Sequence, residues 1–152
     1  MKQNKVHQFA AGELKRLLNG RNDSLIRLSS GDDAEDGFLV KTGKGDGIEI
    51  HGNNSRSLLF GVYAYLKRFA GCRWFHPGEE IVGSGKILRS RLRTPWVEKP
   101  AIPRRYIFPE DKVFTLSLMQ KFIEWAPRNM ISDITISFNA WEEWRANLVP
   151  EI

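Results

Sequence analysis

The residues His76-Pro77-Gly78-Glu79-Glu80 place an imidazole and two carboxylates within five positions, a set of groups that binds a metal when folding brings them around one point. The spacing argues against that chemistry. A zinc peptidase carries HExxH, in which two histidines one turn apart share a helix face, and the other histidines here, His7 and His51, are remote in sequence. The expected role of HPGEE is scaffolding: Trp74 and Phe75 fill a core with Tyr63 and Leu66, and His76-Pro77-Gly78 turns the chain. No metal and no cofactor are expected. The single cysteine, Cys72, excludes an internal disulfide framework and reads as core.

Three other constellations invite a chemical reading. Glu142 and Glu143, flanked by Trp141 and Trp144, imitate an acid dyad with sugar-stacking aromatics, but adjacent residues on a strand or helix point apart. No catalytic pair is assigned to them. The glycines of Gly43-Lys44-Gly45-Asp46-Gly47 resemble a phosphate loop, yet no Lys-Ser or Lys-Thr pair follows at the required spacing, so a hairpin turn is expected. Between Lys86 and Arg105 seven basic residues face one acid, Glu98. Arg89, Arg91, Arg93, Arg104 and Arg105, with Trp96 and Tyr106 as stacking aromatics, would suit a nucleic acid. Alternation instead makes the arginines of KILRSRLR the wet face of a strand, and no nucleic-acid partner is expected.

These groups are positioned by elements whose signals are local. Val6, Phe9, Ala10, Leu14, Leu17 and Leu18 recur at helical spacing until Asn19-Gly20, a helix stop. Residues 24–28 (SLIRL) read as a short strand and GDDAEDG as loop. FLVKT (38–42) and IEIH (48–51) form a hairpin about the glycine-rich turn. Asn53, Asn54 or Ser55 caps a second helix, with Leu58, Leu59, Val62, Tyr63, Leu66 and Phe69 on its apolar face, that ends at Gly71. CRWF (72–75) reads as a strand stopped by Pro77-Gly78.

Three prolines in residues 94–103 (TPWVEKPAIP) forbid regular helix and favour an extended connector, so boundaries are expected at 1–93, 94–103 and 104–152. Beyond it, RYIF (105–108), a helix over 115–126 with Leu116, Met119, Phe122 and Ile123 inward, and DITISF (133–138) compose one βαβ unit. Pro127 should end or kink that helix near Ala126. A lone βαβ buries one face at best, so its strands require further neighbours.

With 152 residues, 41% of them hydrophobic, the chain has enough apolar matter for one core. No stretch approaches the apolar length of a membrane span, and MKQNKVHQ lacks the apolar segment of a signal peptide, so a cytoplasmic location is expected for the chain as written and a secreted one if a leader lies upstream. No membrane partner is expected.

The stretch NNSRSLLFGVYAYLKRFAGCRWFHPGEEIV resembles the small α/β domain that precedes the catalytic barrel in β-N-acetylhexosaminidases, α-glucuronidases and related bacterial glycoside hydrolases. FAAGELKRLL, FLVKT, IEIHG, VEKPAIPRRYIF and WAPRNMISDITISF extend the likeness over nearly the whole chain. The resemblance implies an α+β fold: a small mixed or antiparallel sheet with helices on one face, a non-catalytic relative of the zinc-peptidase fold, followed by a single βαβ unit of an incomplete TIM-type barrel. It implies a structural role bracing that barrel, with carbohydrate bound only by the complete enzyme. The family's catalytic carboxylates lie on later barrel strands, so this chain alone is expected to be inactive. Family members begin with a strand before the first helix; here that strand is short or missing, which would leave a sheet edge uncovered. Arg105, in PRRY, is similar to the family's sugar-binding arginine on the first barrel strand, with Arg104 the competing register. The alternative is a free-standing module that binds carbohydrate or protein through Trp141, Trp144 and unpaired strands; an orphaned barrel fragment is expected to self-associate through those strands, whereas such a module would stay discrete.

Overall fold

A computed structural model describes residues 5–19, 25–44, 47–83, 95–108 and 115–135. The fold is α+β, with a mixed four-stranded sheet, a separate two-stranded pair and three α-helices among the described residues. Helix α1 spans Lys5–Leu17 and leaves the helical path at Asn19, whose φ of 53° is one that asparagine tolerates. Strands β1 (Ile26–Ser30), β2 (Phe38–Thr42) and β3 (Ile48–Gly52) come next. β3 lies between the other two, parallel to β1 and antiparallel to β2. The expected hairpin therefore forms, and Gly43 donates its N–H to the Gly47 carbonyl across the turn.

Alternation of burial assigns the two faces of this sheet. Phe38, Val40, Ile48 and Ile50 are buried on one face, while Lys41, Glu49 and His51 stand on the other. The buried face receives α2 (Ser55–Tyr65), which is capped by Asn54 accepting from the Ser57 N–H. This helix is covered on nearly every side because it touches α1, the sheet and a later helix. Gly52 permits the approach: a Cβ there would stand 2.1 Å from the Leu58 nitrogen. A π-helical turn, Leu66–Ala70, continues α2 and ends at Gly71 with φ 77°, a conformation that favours glycine.

The connector is extended, and part of it is a strand. β4 (Trp96–Glu98) pairs antiparallel with β2 and makes the fourth member of the sheet, in the order β1-β3-β2-β4. Beyond it β5 (Tyr106–Ile107) and β6 (Asp133–Ile134) pair in parallel, joined through α3 (Leu116–Arg128), so the expected βαβ unit is present. Pro127 lies inside the last turn of α3, which ends at the next residue, Arg128, with Asn129 as its C-cap.

Tyr63, Leu66, Cys72 and Trp74 lie in the core as expected, at 0–2% exposure. Phe75 does not: it is 59% exposed. The expected strand over 72–75 is reduced to one bridge, Arg73 with Ile81. Extended backbone there sends Trp74 and its neighbour Phe75 to opposite sides, and only the first side is covered. Phe9 and Ile123 are likewise exposed on their helices, at 51% and 46%. No helix of the described residues is long and apolar enough to cross a membrane.

Candidate functional site

Two polar clusters join the sheet unit to the segment beyond the connector. The first centres on Asp36, in the loop between β1 and β2, whose side chain is 1% exposed. One carboxylate oxygen, Oδ1, accepts from Ser57 Oγ (3.1 Å) and from Arg56 (Nη2, 3.0 Å), both in the first turn of α2. The other, Oδ2, accepts from Arg105 Nη2 at 3.0 Å. Burial alone would raise this carboxyl, but Arg105, Arg56 and Ser57 outweigh it and hold it below the usual carboxylate range. A negative charge at the start of α2 also complements the exposed N–H groups of that helix end.

The second cluster lies where α1, the HPGEE turn and α3 meet, around an open cavity of about 440 Å³. Arg16 reaches Glu13 through Nε (2.7 Å) and Glu80 through Nη1 (2.5 Å). Glu13 also accepts from the Tyr63 hydroxyl (2.8 Å) and from Arg128 (3.3 Å). Glu80 accepts from the Trp74 indole at 3.0 Å. The Arg16 guanidinium, with the Trp74 N–H, holds the Glu80 carboxyl down at about 2. Glu13 is lowered as well, since Arg16 and Tyr63 overcome the burial that would raise it. The Tyr63 hydroxyl is pushed up by burial and by Glu13.

HPGEE is thus a platform whose last residue is a structural anchor. Behind it the Trp74 carbonyl accepts from the Trp125 indole (3.0 Å) and from Asn129 (3.1 Å), and Lys67 donates to the Asn129 side-chain oxygen. His76 and Glu79 are exposed beside it. Among the described residues no three His, Cys, Asp or Glu side chains gather in a way that would hold a metal.

The two arginines singled out by sequence part company. Arg104 is 84% exposed, 3.6 Å from Asp133. Arg105 is turned inward: Nε donates to the Met130 carbonyl (2.5 Å), Nη1 to those of Ile102 (2.9 Å) and Pro103 (3.2 Å), and Nη2 to Asp36. The guanidinium therefore makes four hydrogen bonds, against the five N–H groups it carries. Arg89, Arg91, Arg93, Trp141, Glu142, Glu143 and Trp144 lie outside the described residues. Sequence reading missed Asp36, Glu13 and Arg128. Glu13 had a signal, because it sits one turn from both Ala10 and Leu17 on the apolar stripe of α1. Asp36 had none, being one acid in an acidic loop.

Chemically, these clusters hold charge in place. Carboxylates held ionised below their ordinary values are poor general acids at neutral pH, and each is already bonded to guanidinium.

Residues 8–86, more than half of the chain, match the family described as the alpha-N-acetylglucosaminidase (NAGLU) N-terminal domain. No curated protein matches the sequence. Among solved structures the chain is similar to a family 89 glycoside hydrolase from Clostridium perfringens, in complexes with PUGNAc, with its substrate GlcNAc-alpha-1,4-galactose and with 2-acetamido-1,2-dideoxynojirmycin. The identity is 16% in each, with TM-scores of 0.58, 0.58 and 0.60, a likeness of fold. It covers 85% of this chain and only 16% of the hydrolase.

Proposed function

We propose, from the premise that this chain belongs to the alpha-N-acetylglucosaminidase N-terminal domain family, that it is the accessory domain and barrel start of a glycoside hydrolase acting on an N-acetylglucosaminide. In this reading residues 1–93 are the accessory unit, 94–103 the connector, and 104–152 the beginning of a (β/α) barrel. The unit is non-catalytic and braces the barrel, whose later strands would supply the catalytic carboxylates; carbohydrate is bound by the complete enzyme. The observation that carries this is the docking of α3 on the HPGEE platform, where Trp125 and Asn129 both donate to the Trp74 carbonyl and Arg128 reaches Glu13. A helix between two parallel strands is the repeating piece of such barrels, which supports the second half of the reading.

The purified chain, assayed with an aryl α-N-acetylglucosaminide, is expected to give no turnover. Turnover that is lost in Glu142→Gln or Glu143→Gln would overturn the accessory reading. A discrete binding module is the second reading, favoured by the exposed Tyr106 of β5 and Phe108 just beyond it. Size exclusion over a range of concentrations separates the two, because exposed barrel strands promote self-association and an evolved module stays discrete.

A further inference from the structure

Arg105 does more than tie two segments together, because it also fixes how β5 meets β6. Its backbone N–H donates to Ser132 Oγ (2.9 Å), and its carbonyl accepts the N–H groups of Ser132 (2.8 Å) and Asp133 (3.2 Å). Those bonds start the parallel pairing of Tyr106 with Asp133. Its guanidinium meanwhile holds the carbonyl of Met130, which stands at φ 56° in the turn from α3 into β6. A bulky residue seldom adopts that backbone unless its surroundings impose it. One residue therefore sets both the register of the strand pair and the turn that delivers its second strand.

Arg105 is in turn set by Asp36, which is 69 residues away. The other partners of Asp36 are near in sequence: Ser57 at 21 residues and Arg56 at 20. Contacts between near neighbours close less loop entropy and form sooner. The sheet unit can thus orient Asp36 with Oδ1 occupied and Oδ2 presented before β5 arrives. Arg105 lies on the N-terminal side of β5, whereas barrel enzymes bind substrate at the C-terminal ends of their strands.

We propose that the N-terminal unit is an intramolecular template: Asp36, acting through Arg105, is a positioning residue that imposes the register of the first parallel strand pair of the barrel. This rests on the accessory-domain reading and goes beyond bracing, since it assigns the unit a part in assembling its neighbour. It also gives Arg105 a task other than holding sugar.

Hydrogen exchange read by mass spectrometry, on the native chain and by pulse labelling during refolding, tests it. In the wild type residues 48–66 should gain protection before residues 129–135. Lysine keeps the charge of Arg105 but cannot bridge Met130, Ile102 and Asp36 at once, and asparagine keeps the shape of Asp36 without its charge. Arg105→Lys and Asp36→Asn should each lower protection of residues 129–135 about tenfold while 48–66 stay within about twofold. Arg104→Lys should leave both segments unchanged. Protection of 129–135 that persists in both variants overturns the proposal, and so does equal loss in both segments, failure to fold included, or simultaneous protection in the wild-type refolding. Glycosidase turnover by the chain would sink the accessory reading yet leave these exchange patterns as they are.

Discussion

From Ala10 to Trp74 the buried residues form one continuous apolar cluster, in which Leu17, Val40, Ile50, Leu58 and Leu66 have no exposed surface. Between Thr115 and Thr135 the buried apolar residues are Met119 and Ala126 alone among those described. The later segment lays Trp125 and Met130 against the first core and is further fastened by directed bonds: Arg105 to Asp36, Lys67 to Asn129, Trp125 and Asn129 to the Trp74 carbonyl, and Arg128 to Glu13. Burial of apolar area is tolerant of small displacements, whereas charge-assisted bonds require donors and acceptors within a narrow geometry. The first unit is thus built around apolar burial, while the position of the second is tied to where the first puts its polar groups.

Trp74 belongs to both regions and should show the largest effect. It is 2% exposed, meets Tyr63 edge to face at 5.3 Å and presents its carbonyl to α3. Trp74→Ala should cost about 3–5 kcal/mol through lost burial and the cavity left behind, with α3 released in the same transition. A denaturant titration followed by far-UV dichroism checks this. A shift of the midpoint no larger than that of an exposed aromatic would remove Trp74 from the core and erase the contrast between the two regions.

A smaller effect should come from Glu80, the anchor of the HPGEE platform. Its carboxyl is depressed from an ordinary 4.5 to about 2, so its contribution is present above about pH 4.5 and disappears as pH falls toward 2. Discounted for partial solvent access, the contribution is about 1–2 kcal/mol. Glu80→Gln should be less stable than wild type by that amount at pH 7. The two stability curves should converge between pH 4.5 and 2, although both decline because Glu13 and Asp36 are depressed as well. Parallel curves down to pH 2 would mean that the Arg16 contact is worth nothing in solution.

Phe75 should give the smallest effect. With 59% of its surface exposed, Phe75→Ser should change stability by less than about 0.5 kcal/mol, next to a tryptophan whose loss is severe. A cost comparable with that of Trp74→Ala would mean that Phe75 is covered in solution and would remove the contrast between the two aromatics.

That pair also shows how far the sequence could be read. Helix α1, the hairpin, the capped α2 with its glycine stop, and the core places of Tyr63, Leu66 and Trp74 arise from signals within a few residues of each site. Assigning Trp74 and Phe75 to the same core overlooked that neighbours on extended backbone face opposite ways. β4 had no signal of its own, because a three-residue strand between prolines acquires its identity from β2, far back along the chain, in the register of Phe38 with Glu98 and Val40 with Trp96. The polar clusters were hidden for a like reason: Arg128 and Glu13 meet across 115 residues, and although the apolar stripe of α1 marked Glu13, no local pattern announces a partner that arrives from elsewhere. The placement of Arg105 was visible, but its direction was not.

The π-helical turn at Leu66–Ala70 makes chain length itself a coupling element. Within it Lys67 reaches Asn129 at the end of α3, while its neighbour Arg68 lies 4.6 Å over the ring of Trp96 in β4. One residue added or removed here would rotate the succeeding backbone by about 100° relative to α2, and the two cations would no longer address those partners together. The sheet edge and the later helix are thus kept in phase by the number of residues in one turn, so an insertion or deletion there would uncouple them even if every side chain were retained.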